Sequence, residues 1–597
     1  MTGPQPPFYR EDEHRNPGLR RGRSFTTRFI ALAIPHWQRD SSAAGAGIVT
    51  LLILLSVVQV GLAVWTNYWS ALFFDAIESR EPIEVIRQSG IFLLIMVATI
   101  LVTGAHLHVK RDVQFRWRRW LTERLLDEWL RDGRHYQLEH LPGDHGNPDG
   151  RIAEDIRNLT EVAIELAHSF LYCALMLVSF VSILWTLSGA MTARIGDTSL
   201  DIPGHMVWVA LLYAGVGSTL AYLLGKPIVV ATNLRQTQEA EFRFGLARAV
   251  EYSEAIAVLR GEPDERRHLS RLFDDIRLAW QQQTLGLRRL LYFSSGYASL
   301  ATVFPLLVSA PRYIVGAITL GGLMQTAQAF QQVIQSLSWI VDNSARVAEW
   351  RASVERVLSL DEAVFRLRRQ AGAQAAAGIL RQSAGEPVLR FVNLTIRSPE
   401  GHPILKNFEA TVSQGERVLI TGNLDAATKL FKATAGLWPW GEGSIELPAR
   451  TEIFLLPQRP YLPVDRLRSV LAYPATDESF DSEILRNALE RVGLPDLSRR
   501  LDDTENWSRI LTEEEQQRLA FARLLAHRPH WVFLQDATDT LEEAEQEKLL
   551  RLVVDEFSDA TLITIARHAG AEALHGRKIE LPNHRHVGAD GAWTATT

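Results

Sequence analysis

Ile420-Thr421-Gly422-Asn423-Leu424-Asp425-Ala426-Ala427-Thr428-Lys429-Leu430 is the stretch on which the reading of this chain turns. Before it, Gly415-Glu416-Arg417-Val418-Leu419-Ile420 reads as a turn feeding a buried strand. After it, Leu430 to Leu437 reads as a helix ending at Gly436-Leu437-Trp438-Pro439-Trp440-Gly441. That is the setting of a phosphate-binding loop, GxxxxGK[ST]. There, glycines let backbone N–H groups wrap the phosphates, a Lys meets the β/γ charge and a hydroxyl holds Mg²⁺. The loop itself departs from the pattern. Its second glycine is missing, Thr428 stands where Lys is due, and Asp425 brings negative charge to the place of a phosphate. Using Lys429 instead does not repair it, because one position along a helix turns a side chain by roughly 100°.

Working outward, 597 residues with sharp shifts in composition predict two large units. A formal net charge of -6 excludes a generally basic, nucleic-acid-coating surface. The single cysteine, Cys173, lies in an apolar run and reads as a small hydrophobe. The first part carries apolar stretches of about twenty residues, long enough to cross a bilayer as helices. They fall near Ile48–Trp69, Ile91–His106, Leu166–Leu187, Met206–Val230, Leu290–Ala310 and Ile314–Ile340. The first begins too late and runs too long for a cleaved signal peptide. Arginines crowd the N-terminal arm (Arg15, Arg20, Arg21, Arg23, Arg28) and the segment from Arg111 to Arg134, which the positive-inside rule assigns to the cytoplasm with both termini. Phe25–Trp37, apolar with flanking Arg, reads as an interfacial helix. The polar segments 110–161 and 231–289 read as cytosolic extensions of the membrane helices. The expected layout is an N-terminal arm over 1–40, a six-helix membrane domain over 41–365, a linker over 366–384 and an α/β P-loop NTPase-like domain over 385–597.

The motifs narrow this layout. Asn147-Pro148-Asp149-Gly150-Arg151-Ile152-Ala153-Glu154-Asp155-Ile156, Ile183-Leu184-Trp185-Thr186-Leu187-Ser188-Gly189, Leu259-Arg260-Gly261-Glu262 and Gly316-Ala317-Ile318-Thr319-Leu320-Gly321 resemble the membrane domain of the SbmA/BacA-like ABC half-transporters with a fused nucleotide-binding domain. Gly436–Gly441, Leu456-Pro457-Gln458-Arg459-Pro460-Tyr461-Leu462-Pro463 and Gln516–Leu524 are similar to the same family, so the resemblance spans almost the whole chain. It implies a dimer in a bacterial inner membrane that takes up bulky, partly hydrophilic cargo such as cobalamin, bleomycin-like compounds or peptides, with ATP and Mg²⁺ as the family's cofactors. Lipid, a second copy and cargo are the implied partners. Nucleic acid is not among them, and no resident metal is read.

Against that family pattern the ATP site is incomplete. Val532-Phe533-Leu534 leads to Gln535 where the Mg²⁺-binding Asp belongs, a weaker ligand for a hard cation. Asp536 takes the place of the catalytic Glu. The signature reads Leu511-Thr512-Glu513-Glu514-Glu515, with carboxylates in place of glycines that would let N–H groups approach a phosphate. Arg567 stands at the switch His, with His568 one residue late. Gln458 alone matches its expected role. Two unit charges about 4 Å apart repel by roughly 4 kcal/mol even at an effective dielectric of about 20. Phosphoryl transfer depends almost wholly on positioning and charge neutralisation. The degenerate ATP site is therefore read as Gly422, Thr428, Lys429, Gln458 and Asp536, with hydrolysis lost.

If ATP does not drive the cycle, an ion gradient is the alternative, and the cassette-free members of the resembled family couple uptake to protons. Glu161, Glu165 and His168 lie on one helical face as the third span begins and are read as proton-coupling candidates, or else as an ordinary polar network. Gln325, Gln328, Gln332 and Gln335 follow a 3-4-3 spacing and form a stripe that is read as lining the transport path, with a helix–helix seam as the alternative. Trp185, Pro305 and Pro311 read as an interface anchor and helix-shaping residues. Two further readings stay open, an ATP-driven transporter with an unorthodox site and a non-transporting membrane scaffold with a pseudo-ATPase module.

Overall fold

The computed structural model describes residues 24–39, 43–141, 146–195, 198–374, 378–448, 453–566, 572 and 574–582. The arginines Arg15 to Arg23 and the pair Arg567 and His568 lie outside the described residues. The helices, in chain order, are α1 (Phe25–Arg39), α2 (Ala43–Glu78), α3 (Pro82–Leu130), α4 (Arg134–Glu139), α5 (Pro148–Gly150), α6 (Ile156–Ser188), α7 (His205–Glu251), α8 (Ser253–Val258), α9 (Glu262–Ile314), α10 (Leu320–Asp342), α11 (Ser344–Gln374), α12 (Leu424–Thr434), α13 (Leu467–Ala472), α14 (Ser482–Arg491), α15 (Trp507–Ile510), α16 (Glu513–His527) and α17 (Glu543–Glu556). The strands are β1 (Ala190–Ile195), β2 (Thr198–Pro203), β3 (Ile379–Ser383), β4 (Val388–Arg397), β5 (Pro403–Ser413), β6 (Arg417–Gly422), β7 (Gly441–Leu447), β8 (Ile453–Leu456), β9 (Asp465–Arg466), β10 (Thr504–Glu505), β11 (Trp531–Gln535), β12 (Thr561–Ile565) and β13 (Arg577–Leu581). The chain divides into two compact units, residues 1–124 with 147–358 and residues 125–146 with 359–597, so the division falls inside α3 and α11.

In the first unit five helices are long and apolar enough to cross a membrane, at Gly45–Glu78, Pro82–Glu139, Pro148–Ser188, His205–Glu251 and Glu262–Ile314. The sixth span expected over 314–340 is a helix only from Leu320, and its glutamines and serines keep it out of that set. Its surroundings account for that polarity. α10 packs against α2, α6, α7 and α9. Ala329, Phe330 and Val333 are fully buried in a cluster with Phe180, Leu184 and Met206.

The entry of α10 into this bundle is fixed by α2. Leu320 N–H donates to Glu78 Oε2 at 2.9 Å and Gly321 N–H to Asp75 Oδ1 at 2.9 Å, while Thr319 caps Gly322, so the orphan donors of a helix start are met by carboxylates. A Cβ on Gly321 would lie 2.1 Å from the Ala71 carbonyl oxygen, which makes this the point of closest helix approach. That approach bears on the glutamine stripe, for which path and seam are the two expectations. Gln325 is buried, with its backbone carbonyl accepting from Asn67 Nδ2 at 3.1 Å, and Gln328 Nε2 donates to Ser70 Oγ at 2.9 Å. The Gln328 side chain and the Gln325 backbone thus face α2 across the seam. Gln332 is half-buried and Gln335 exposed.

The motif from Asn147 builds a corner. Asn147 is left-handed (φ 53°), Pro148 opens α5, and a π-turn over Arg151–Asp155 leads into α6. Buried Arg151 donates to the Arg356 carbonyl at 3.0 Å and Asp155 pairs with the Arg356 guanidinium at 2.8 Å. α1 matches the expected helix and sets Phe29 against Trp350 and Trp117, with Ile30 and Ile34 left exposed. The Trp185 ring lies where a Cβ on Gly204 would stand, and Pro305 is buried inside α9.

The second unit is an α/β cassette of two main sheets, with β9 and β10 forming a separate antiparallel pair. One sheet is parallel throughout, in the order β13-β6-β12-β11-β8. Its inner strands are continuous apolar runs because both faces are covered. The other sheet runs β3-β7-β4-β5. The expected linker over 366–384 is corrected here. α11 continues to Gln374, and Ile379–Ser383 is a strand paired in parallel with β7. Alanine-rich composition suits a helix as well as a linker, and residues 375–377 are outside the described set. His527, at the end of α16, packs against Phe454 and Phe480, and burial holds its pKa below the usual value.

Two outcomes follow from these contacts. Gly321→Ala should destabilise the membrane unit by about 1–3 kcal/mol through overpacking at Ala71, read as a lower melting temperature in detergent. Because His527 resists protonation in the fold, the unfolded chain takes up a proton first as pH drops below about 6.5, so cassette stability is full above that pH and declines below it. His527→Leu should flatten the decline in urea unfolding curves recorded between pH 7.5 and 5.

Candidate functional site

At the carboxyl end of β6, the chain turns into α12 through one residue. Gly422 ends the strand at φ +94°, and a Cβ there would sit 2.3 Å from the Leu581 carbonyl oxygen of β13, so only glycine fits. Asn423 then bridges strand and helix. Its N–H donates to Leu581 O at 3.2 Å, its Oδ1 accepts from Ala426 N–H at 3.1 Å, and its carbonyl accepts from Ala427 N–H at 2.9 Å. An Asn side chain at this position is a strong N-cap. It occupies donors that a phosphate-binding loop would leave pointing outward.

The remaining sequence-predicted residues separate into two groups. Thr428, on the buried side of α12, faces β11, where Gln535 Nε2 donates to its Oγ1 at 3.5 Å. Lys429 turns the other way. Its Nζ lies 4.1 Å above the Trp438 ring and 3.9 Å from Asp425 Oδ1, and burial together with Lys432 lowers its pKa. A cation over an indole face is held by the ring quadrupole. Gln458 Nε2 donates to Asp539 Oδ2 at 3.3 Å, and its carbonyl accepts from buried Gln517 at 3.4 Å. Asp536 is buried in a left-handed conformation (φ 46°), with its N–H on the Ile565 carbonyl.

At the start of α16 the three acidic residues differ in role. Thr512 Oγ1 accepts from Glu515 N–H at 3.2 Å while Glu515 Oε2 accepts from Thr512 N–H at 2.9 Å, a reciprocal capping box. Glu513 is exposed, and Glu514 pairs with Arg518, which also reaches Glu545 at 3.2 Å. Sequence reasoning took these residues only as damaged glycine positions. The spacing Thr-x-x-Glu was the available signal for a cap.

A second contact set was not anticipated. α4 packs on the far half of α12 inside the same unit. Lys432 Nζ donates to Tyr136 Oη at 2.8 Å, Gln137 reaches the Gly436 carbonyl at 3.5 Å, and His140 packs edge-on against Trp438 and tilts toward Trp440. Leu437 lies against Gly133, where a Cβ would come within 2.6 Å. Both lysines of the helix are thus drawn to aromatic faces on its outer side.

In the membrane unit the proton-coupling candidates are already paired. Glu165 forms an ion pair with Arg346, and Glu161 lies 3.7 Å from Arg111. His168 faces a histidine that the sequence reading passed over, His106 of α3, with ring centroids 4.1 Å apart. No periodicity links positions on two different helices, so the sequence carried no signal for that pair.

A helical membrane unit followed by a cassette of one parallel and one mixed sheet, with a glycine-ended strand feeding a helix, defines an ABC half-transporter. Residues 30–314 match the family described as ABC transporter transmembrane region 2. The chain is 30% identical over 552 residues to the inner membrane ABC transporter ATP-binding protein YddA of Escherichia coli (strain K12), covering 92% of this chain and 96% of that one. It is 25% identical over 622 residues to the chloroplastic ABC transporter D family member 2 of Arabidopsis thaliana, covering 93% and 86%. A bacterial Atm1-family ABC exporter solved with ATP bound superposes with a TM-score of 0.65 at 16% identity, over 91% of this chain and 94% of that one. The chain belongs to the ABC transporter family, as a transmembrane half-transporter with a fused ATP-binding-type domain.

The α4 contact can be tested directly. Lys432→Met removes the hydrogen bond to Tyr136 and the charge above its ring, a loss of about 1 kcal/mol. Amide exchange over 134–140 should then speed up by about fivefold, with exchange in the parallel sheet unchanged.

Proposed function

We propose that this chain forms a homodimeric, inner-membrane transporter of the SbmA/BacA-like type, in which the cassette serves as a structural or regulatory clamp and ATP hydrolysis has been lost. The observation that carries this reading is the wiring of α12. The Thr428 hydroxyl lies against Gln535, the residue in the place of the metal-binding Asp, so Thr428 stands where the Mg²⁺-binding hydroxyl would be. The connection from Gly422 is then one residue short and Ala427 takes the place of the Lys. Lys429 is held on Trp438 instead. With an amide for the metal carboxylate, no free cation at the β/γ position among the described residues and Glu513 exposed on the signature edge, these residues do not fit Mg-ATP.

In this reading the membrane part carries bulky cargo across the bilayer. Gln332 and Gln335 remain as candidates for the path, whereas Gln325 and Gln328 act in the seam. The packing of α10 among four neighbouring helices supports its reading as a sixth membrane helix, and six crossings would leave both termini on the cytoplasmic side. The membrane domain runs to the first half of α11 and the cassette begins near β3. A second copy is supported by the hairpin tip around α8, where Val250, Val258 and Leu259 are each at least three-quarters exposed. With hydrolysis gone, an ion gradient drives the cycle, and the residues at the cytoplasmic start of α6, Glu161, Glu165 and His168, belong to that coupling.

Titration of the purified full chain with a fluorescent ATP analogue and Mg²⁺ should show no saturable binding tighter than a Kd of about 1 mM. Asp536→Asn should leave gradient-driven uptake into proteoliposomes unchanged. Micromolar, Mg²⁺-dependent binding with turnover abolished by Asp536→Asn would return the driving force to hydrolysis.

A further inference from the structure

Where the second apolar stretch ends and the third begins, α3 and α6 bring two imidazoles together. His106 is 5% exposed and His168 half-buried, and their ring centroids are 4.1 Å apart with planes at 41°. The Nε2 atom of each is buried and, among the described residues, has no hydrogen-bond partner. A buried ring nitrogen left unpaired costs free energy unless it exchanges something, because the desolvation of the polar atom is uncompensated. An ionisable side chain buried within a membrane segment is a functional candidate by default.

The neighbours narrow what is exchanged. The carboxylates beside the pair are committed to guanidinium partners, Glu165 to Arg346 of α11 and Glu161 to Arg111 of α3. Gln114 of α3 donates to the Glu161 carbonyl, Trp339 of α10 to Ser169, and Tyr172 stacks on His168 at 6.3 Å. Lys110 of α3 acts electrostatically on both rings, Glu165 acts on His168, and Asp342 of α10 acts on Cys173 farther along α6. Among the side chains of this cluster, the imidazole is the one whose ordinary titration range lies nearest neutral pH. A metal ion would need further donors, and no third His, Cys, Asp or Glu joins the pair in ligating arrangement among the described residues.

We infer that His106 and His168 form a proton-binding site that takes up one proton per chain, on one ring of the pair. This rests on the gradient-driven reading above and assigns its proton to the imidazoles in place of Glu161 or Glu165. One proton is the capacity because two imidazolium charges about 4 Å apart repel by roughly 4 kcal/mol at an effective dielectric of about 20. A single imidazolium is held over the face of its neutral neighbour. On uptake the pair goes from neutral to +1, and on release the proton leaves to water.

The test is a ¹⁵N-histidine NMR titration of the full chain in nanodiscs, for the native protein and for His106→Gln and His168→Gln, beside proton entry into pyranine-loaded proteoliposomes under an imposed pH gradient. The expected result is a coupled titration of the two rings totalling one proton. Removing either ring should move the midpoint of the other by at least tenfold in proton affinity, and gradient-driven proton entry should fall at least tenfold in both variants. Independent titrations, or rings neutral throughout the pH range in which the protein stays folded, would overturn the site. Proton entry unaffected by both substitutions would also overturn it while leaving gradient-driven transport in place. Coupled titration with no gradient-driven proton entry in the native protein would instead overturn the transport reading and keep the site. Stoichiometric Zn²⁺ binding in equilibrium dialysis, lost in either variant, would replace the proton with a metal ion. If His106→Gln does not assemble, the native titration alone decides between coupled and independent rings.

Discussion

One residue of chain separates the end of β6 from the start of α12, and that shortness organises the cassette's nucleotide side. Gly422 must pass under the Leu581 carbonyl, and Asn423 must both end the strand and cap the helix. With no slack, α12 starts close to the sheet and its face assignments are set. Thr428 falls inward against Gln535, and Lys429 falls outward against Trp438. A longer glycine loop would hold its N–H groups open for an anion. Here they are taken up by the protein itself.

Much of the cassette was legible from sequence because its signals are local. The apolar runs of β6 and β11, the turn at Gly415 and the helix end at Gly436 all sit where reading placed them, since buried parallel strands and glycine stops are written in contiguous residues. The substitutions at Gln535, Glu513 and Glu514 were equally plain. The consequences of those substitutions were not. That Lys429 would find Trp438, or Lys432 would find Tyr136 nearly three hundred residues away, depends on tertiary contacts that no spacing encodes. The stretch from Arg366 was read as a linker because alanine and glutamine lack hydrophobic pattern, yet the same residues are good helix formers, and α11 simply continues through them.

In the membrane unit the limit was burial. A glutamine stripe has the same period whether it faces a water-filled path or another helix, so Gln325 and Gln328 could be placed only once α2 was seen to approach at Gly321 and Ala71. Likewise, the acidic face of α6 was visible at i, i+4 and i+7, while the partners that neutralise it, Arg111 and Arg346, come from other helices. His106 became interesting only through its neighbour. A group's chemistry in a low-dielectric setting is set by what is packed against it, which is the part of a site that sequence reports least.

The cap at the head of α16 has a consequence for any substitution of glycine at positions 513 and 514. Thr512 and Glu515 complete that helix's first turn with their own side chains, so the turn is as comfortable in plain buffer as it would be beside an anion. Writing glycines back at 513 and 514 would therefore add flexibility to an end that is still closed. Sensitivity to a phosphate would return only after Glu515 was also withdrawn, leaving the turn with something to gain from a visitor.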